Sequence, residues 1–176
     1  MTDRWALQEG VEGDAWFSPC GGHRLGLWRW WGYSKRFAAF GINPSSAGAD
    51  RDDPTVRKLI HYGRAESYSG FDLGNLATLI SKKPIDLLKA DRRNVELADA
   101  VIHSIITDRD CAAVLCMWGK PTNARLRAYI DSRARVVMAF ATSHGVPTLC
   151  LGTTACGRYP RHPLYLRNDT KMRPFP

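Results

Sequence analysis

The sequence predicts an α/β fold, a three-layer sandwich around a central, mostly parallel sheet of four strands. Two observations carry this prediction. Four short apolar runs have strand length: FAAFGI (37–42), GFDLGNL (70–76), AAVLCMW (112–118) and VPTLCLG (146–152). The segments between them have helical length and periodicity, and strands that alternate with helices at this spacing pair in parallel. No repeat, low-complexity tract or linker interrupts the 176 residues, so residues 23–176 read as one α/β domain.

Residues 1–22 are mixed and glycine-rich, with a Pro-Cys-Gly-Gly turn at 19–22, and read as an irregular lead-in or one irregular edge hairpin. HRLGLWRWWGY (23–33) partly alternates and holds three of the six tryptophans, which suits an edge strand and its turn. Asp53-Pro54 opens a helix, with Asp53 as N-cap and Pro54 in the first turn. Residues 84–107 carry apolar side chains at helical spacing, most regularly over 94–107. After Pro121, one or two further helices run to a stop at His144-Gly145.

Composition narrows the function classes. The chain is 44% hydrophobic and 24% charged, which excludes a disordered or fibrous protein. No window approaches the length of a membrane span, and the acidic N-terminal stretch is not a signal peptide. Five cysteines, an odd number set in or beside apolar stretches, read as reduced thiols of a cytoplasmic protein. They do not pair with the histidines at metal-ligand spacing, so neither metal nor other cofactor is expected. The formal charge of +8 favours an anionic partner. The oligomeric expectation is a monomer or weak dimer.

In a parallel sheet, ligands gather beyond the carboxyl ends of the strands. Four loops follow those ends. The first, GINPSSAGADRDDPT (41–55), offers Asn43, Ser45, Asp52 and Asp53; one of the two acids does no more than cap the helix. The second follows Asn75. The third contains Trp118-Gly119-Lys120, where Trp118 serves either the core or a stacking surface. The fourth, GTTACGRYPRHPLYL (152–166), sets Arg158, Arg161 and His162 in a stiff, proline-containing loop suited to an oxyanion. The bland alternative for Arg161 is an ion pair with Asp169 that ties down the C-terminal loop. There is no GxxxxGK[ST] phosphate loop and no GxSxG elbow.

The combination NPSSAGADRDDPTVRK, GNLATL, MWGK and LGTTACGRYPRHPLYLRNDT resembles an uncharacterised bacterial and phage domain family over roughly residues 23–175. That family shares an Asn-Pro-Ser, Asp-Asp-Pro-Thr and Arg-His-Pro-Leu-Tyr signature. More distantly, the order of short motifs is similar to that of the uracil-DNA glycosylase superfamily, which implies a glycosylase-like sheet. By that resemblance Asn43 positions an attacking water, Asn75 reads a pyrimidine edge, and His162 supports the carbonyl oxygen of the leaving base. Trp118-Gly119 matches the third-strand motif. The chain departs from the pattern at Ser45, where the glycosylases have Gly, and after His162-Pro163, where Leu-Tyr replaces Ser-Pro.

The function expected from these residues is base processing at a pyrimidine nucleotide flipped from DNA, by an N-glycosidic hydrolase or transferase. Asn43, Asp53, Asp52 and His162 are the catalytic candidates. Ser45, Asn75, Trp118, Lys120, Arg158 and Arg161 would hold the substrate, DNA or nucleotide. Two alternatives stay open: a phage-type enzyme that hypermodifies DNA bases by group transfer, and a non-catalytic nucleotide or nucleic-acid binder.

Overall fold

The computed structural model of the chain describes residues 3, 5–89 and 92–176, the side chains of 92–94 apart. Residues 1, 2 and 4 of the expected lead-in, and 90 and 91 of the stretch read as helical, lie outside the described residues.

Seven strands form one mixed sheet in the order β1-β2-β4-β3-β5-β6-β7. They are β1 (Glu12–Phe17), β2 (Arg24–Trp30), β3 (Arg36–Gly41), β4 (Gly70–Asn75), β5 (Cys111–Cys116), β6 (Thr148–Cys150) and β7 (Arg173–Pro174). Among the described residues three helices, α1 (Pro54–Ala65), α2 (Arg92–Ile106) and α3 (Ala124–Ser143), accompany them, with short 3-10 turns at Pro84–Lys89 and Pro163–Tyr165.

The expected four-stranded, mostly parallel, glycosylase-like sheet is overturned by this topology. Of the six pairings, β1–β2, β2–β4 and β6–β7 are antiparallel and only β4–β3, β3–β5 and β5–β6 are parallel. The sheet opens on an antiparallel hairpin, with Glu12–Phe17 of the supposed lead-in forming its edge. The signal was weak because β1 leaves Glu12, Asp14, Trp16 and Phe17 without a buried face. β7 is too short to give a pattern at all.

Alternation along β3 sends Phe37 and Ala39 to one face and Ala38 and Phe40 to the other. The first face packs on Val56, Leu59, Ile60 and Tyr62 of α1. The second packs on Ile102 and Ile106 of α2 and on Leu126, Ile130 and Val137 of α3. Burial of both faces explains why β3 and β5 read as unbroken apolar runs.

Helix starts follow the sequence signals. Asp53 caps α1 by accepting from the Val56 amide at 2.9 Å, with Pro54 in the first turn. Asn123 caps α3 by accepting from the Leu126 amide at 3.0 Å. Each cap meets an amide the helix itself leaves unpaired.

Candidate functional site

The parallel strands set the floor of a cleft. Gly41, the last residue of β3, stands in register with Asn75, the last of β4. The chain beyond continues the pairing: Leu76 and Ala77 donate to the carbonyls of Gly41 and Ile42, and the Met117 amide donates to Phe40. Three strand ends are thereby held side by side, and the loops that leave them enclose a cavity of about 470 Å³. That lies within the range of small-ligand sites.

Asn43, Ser45, Asp53, Asn75, Trp118, Lys120 and His162 all line this cavity, although their loops are far apart in sequence. Asp52, Arg158 and Arg161 do not.

Asn75 is 6% exposed, and its side-chain amide has no hydrogen-bond partner among the described residues. A buried amide without partners costs about 1–3 kcal/mol. Here the group faces a cavity rather than core. Gly41 makes room for it: a Cβ at that position would sit 3.3 Å from Asn75 Oδ1.

Asn43 is committed differently. Its Nδ2 donates to the carbonyls of Ser81 (2.7 Å), Pro44 (3.0 Å) and Leu79 (3.4 Å). Three carbonyls around one atom fix the orientation of the amide and leave Oδ1, a pure acceptor, as the atom it can offer a ligand or water.

His162 is half-buried. Burial pulls its imidazole below the ordinary histidine range, and the negative charge of Asp53 partly opposes this. The Leu164 amide donates to Nδ1 at 3.3 Å, so the neutral ring carries its proton on Nε2. Asp53 spends Oδ1 on the helix cap, which leaves Oδ2 for the cleft.

Trp118 does both of the things its type allows. It is 4% exposed and packs edge-on against Phe175 at 6.0 Å, while its remaining surface borders the cavity. Gly119 follows with φ +67°, a backbone state that favours glycine, and carries the chain to exposed Lys120 at the rim. Ser45 is exposed on the opposite loop.

Asp52 requires correction. Its carboxylate is fully buried: Oδ1 accepts from Arg29 Nε at 2.9 Å, and Oδ2 lies 2.8 Å from Arg57 Nε in an ion pair. Both oxygens face guanidinium charge and Asp52 does not line the cavity, so the catalytic expectation for Asp52 does not hold. Arg158 and Arg161 are exposed outside the cleft because Tyr159 and Pro160 between them turn inward. Arg158 lies over the Tyr159 ring, and Arg161 reaches the Tyr165 carbonyl at 3.4 Å. The ion pair to Asp169 belongs to Arg167 instead.

The chain matches the family model described as "Protein of unknown function (DUF1643)" over residues 24–164. It belongs to the DUF1643 family. No curated protein and no solved structure matches it. The family match spans every residue that lines the cleft but Tyr165, the last wall residue.

Sequence reasoning missed Arg24, Ser81 and Lys82, which also line the cleft of this DUF1643 protein. Arg24 opens β2 and read as part of an exposed edge. Ser81-Lys82-Lys83 sits six residues beyond a strand end, and its basic character ahead of Pro84 was the available signal.

All five cysteines are free thiols. Burial pushes the Cys111 thiol up to about 11 and Cys116 higher still. Exposed Cys20 and Cys156 are shifted down, chiefly by bonds from Ser18 and Thr154 respectively. Among the described residues no three His, Cys, Asp or Glu side chains gather as a metal site, and no helix is long and apolar enough to cross a membrane.

Proposed function

We propose that this protein processes the base of a pyrimidine nucleotide, cleaving its N-glycosidic bond in the cleft at the ends of β3, β4 and β5. The observation that carries the reading is the open amide of Asn75, buried to 6% exposure at the wall of a cavity that also holds Asp53 and His162. A primary amide offers a donor and an acceptor side by side, which suits the paired carbonyl and ring nitrogen of a pyrimidine edge.

The chemistry follows from what each group has left to give. A water held by Asn43 Oδ1 bonds through its oxygen to C1′ of the sugar. The C1′–N bond breaks, and its electron pair goes to the base. Asp53 Oδ2 faces the positive charge that develops on the sugar and takes the proton released by the water. The Nε2–H of His162 supports the anionic oxygen of the departing base. In transfer rather than hydrolysis, another nucleophile takes the place of water. The nucleotide arrives free or flipped from DNA, and in the second case Arg158 and Arg161 would take flanking phosphates.

A second reading, binding without turnover, is favoured by one observation: Asn43 Nδ2 and Asp53 Oδ1 are already committed to backbone groups. One experiment separates the two. Pyrimidine nucleotides and single-stranded oligonucleotides are incubated with the protein, and free base is measured by chromatography. Base release that disappears in Asp53→Asn supports catalysis. Binding without release supports the second reading, and neither binding nor release by any pyrimidine nucleotide overturns both.

A further inference from the structure

Among the described residues three arginines are nearly sealed from solvent, and two of them have carboxylate partners. Arg29 pairs with Asp52, and its other nitrogens donate to the carbonyls of Trp28 and Gly48. Arg133 pairs with Asp99 and donates to the Leu76 carbonyl. Arg24, 3% exposed, differs from both. Its Nη1 donates to the Ala47 carbonyl at 2.9 Å, its Nε is buried with no acceptor, and no carboxylate lies within ion-pair distance among the described residues. Its Nη2 has no acceptor among the described residues either, and Arg24 lines the cleft.

A buried guanidinium without an anion is costly, because several kcal/mol of hydration are lost and little is regained. The strain shows in its acidity: burial pulls the pKa of Arg24 down to about 10, against a partial restoring effect of Asp53. It still carries its charge at neutral pH. Asp53 cannot settle that charge alone, since it sits beyond ion-pair distance and spends one oxygen on the α1 cap.

We infer that Arg24 is the anchor of an anion subsite in this cleft, and that the anion it takes is a terminal phosphate monoester. A phosphate monoester presents three oxygens and up to two charges, which matches a guanidinium whose Nη2 keeps both of its N–H groups unused. An internal phosphodiester carries a sugar on each side and a single charge, so it offers such a group fewer free oxygens and less charge. Hydroxyls of Ser45, Ser46 and Thr55 line the same cavity, and Lys82 and Lys120 add positive charge at its rim. Two sources share this chemistry: a free nucleoside monophosphate and the phosphorylated end of a nucleic acid. The inference rests on the nucleotide reading above only for the identity of the rest of the ligand.

Calorimetric titration of the full chain tests it with uridine, uridine 5′-monophosphate, ribose 5-phosphate, inorganic phosphate, and a short oligonucleotide with and without a 5′-phosphate. The monophosphate should bind at least about tenfold more tightly than uridine, the size of one charge-assisted contact. Arg24→Gln should bring that ratio close to one while uridine affinity holds, and Arg24→Lys should keep part of it. A 5′-phosphate that strengthens oligonucleotide binding identifies a nucleic-acid end as the source; a gain confined to the monophosphate identifies a free nucleotide. Equal affinity of wild type for uridine and its monophosphate overturns the subsite, and this comparison needs no variant to fold. Ribose 5-phosphate binding as well as the nucleotide, with the same dependence on Arg24, keeps the subsite and overturns the base reading. Uridine binding with no phosphate gain does the reverse. No binding by any probe overturns both.

Discussion

Arg29 Nε meets Asp52 Oδ1 at 2.9 Å, and neither side chain is exposed. The pair ties the middle of β2 to the residue next to Asp53, whose carboxylate borders the cleft. Two adjacent acids therefore have separate duties. One holds the loop and the other lines the cleft.

Asp52→Asn leaves the Arg29 charge buried without its counter-charge and should lower stability by about 3–5 kcal/mol. Asp53→Asn keeps a good N-cap and should cost less than about 0.5 kcal/mol. Urea denaturation of the two variants checks the contrast. The same Asp53→Asn protein should lose base release, so stability and activity separate at neighbouring positions.

Part of this arrangement was legible in the sequence and part was not. β3 and β5 announced themselves because both faces are buried, and the strand-end rule then pointed to Asn43, Asn75 and Trp118. β1 was hidden by its exposed residues, and with it the antiparallel start of the sheet. Arg24 was hidden because an arginine heading a short strand reads as solvated; only its burial without an ion-pair partner among the described residues marks it out. Pro54 marks Asp53 as the helix cap, but nothing in Asp52-Asp53 shows that Asp52 is the buried acid and Asp53 the one at the cleft. Their difference is made by Arg29, far upstream in the chain.

His162 gives a pH prediction. Its folded-state pKa is depressed by burial, so the neutral ring is the folded form. Its contribution to stability is complete above the unfolded value of about 6.5 and is lost as pH falls through that value toward the lower folded one. Asp53 opposes the depression, so Asp53→Asn should lower the His162 pKa further. Imidazole NMR resonances followed over pH in both proteins report this directly; a higher pKa in the variant would contradict the assignment.

Two glycine substitutions should part in their effects. Gly41→Ala brings a methyl group 3.3 Å from Asn75 Oδ1 and 3.5 Å from Met117 Cε, which nudges the amide without breaking the core. Nucleotide affinity should fall roughly fivefold, about 1 kcal/mol, with the fold intact. Gly74→Ala places its methyl 2.5 Å from Phe40 Cε1 and should instead cost about 1–3 kcal/mol of stability. Thermal denaturation alongside ligand titration distinguishes them.

Arg161 lies outside the cleft wall, so Arg161→Ala should leave mononucleotide affinity unchanged. If DNA is bound, its affinity should fall in that variant for every sequence alike, and the log-log salt slope should flatten by about 0.7–0.9 for the lost phosphate contact. Oligonucleotide affinity at two salt concentrations measures both effects.

The central claim is that Asn75 presents an open amide to a pyrimidine edge. The most direct test is the side-chain NH₂ resonance pair of Asn75, assigned by its loss in Asn75→Asp and followed as uridine 5′-monophosphate is added. The account predicts that this pair moves more than the amides of the remaining asparagines and saturates with the bound fraction. Nucleotide binding that leaves the Asn75 amide unmoved, or no binding at all, would contradict it.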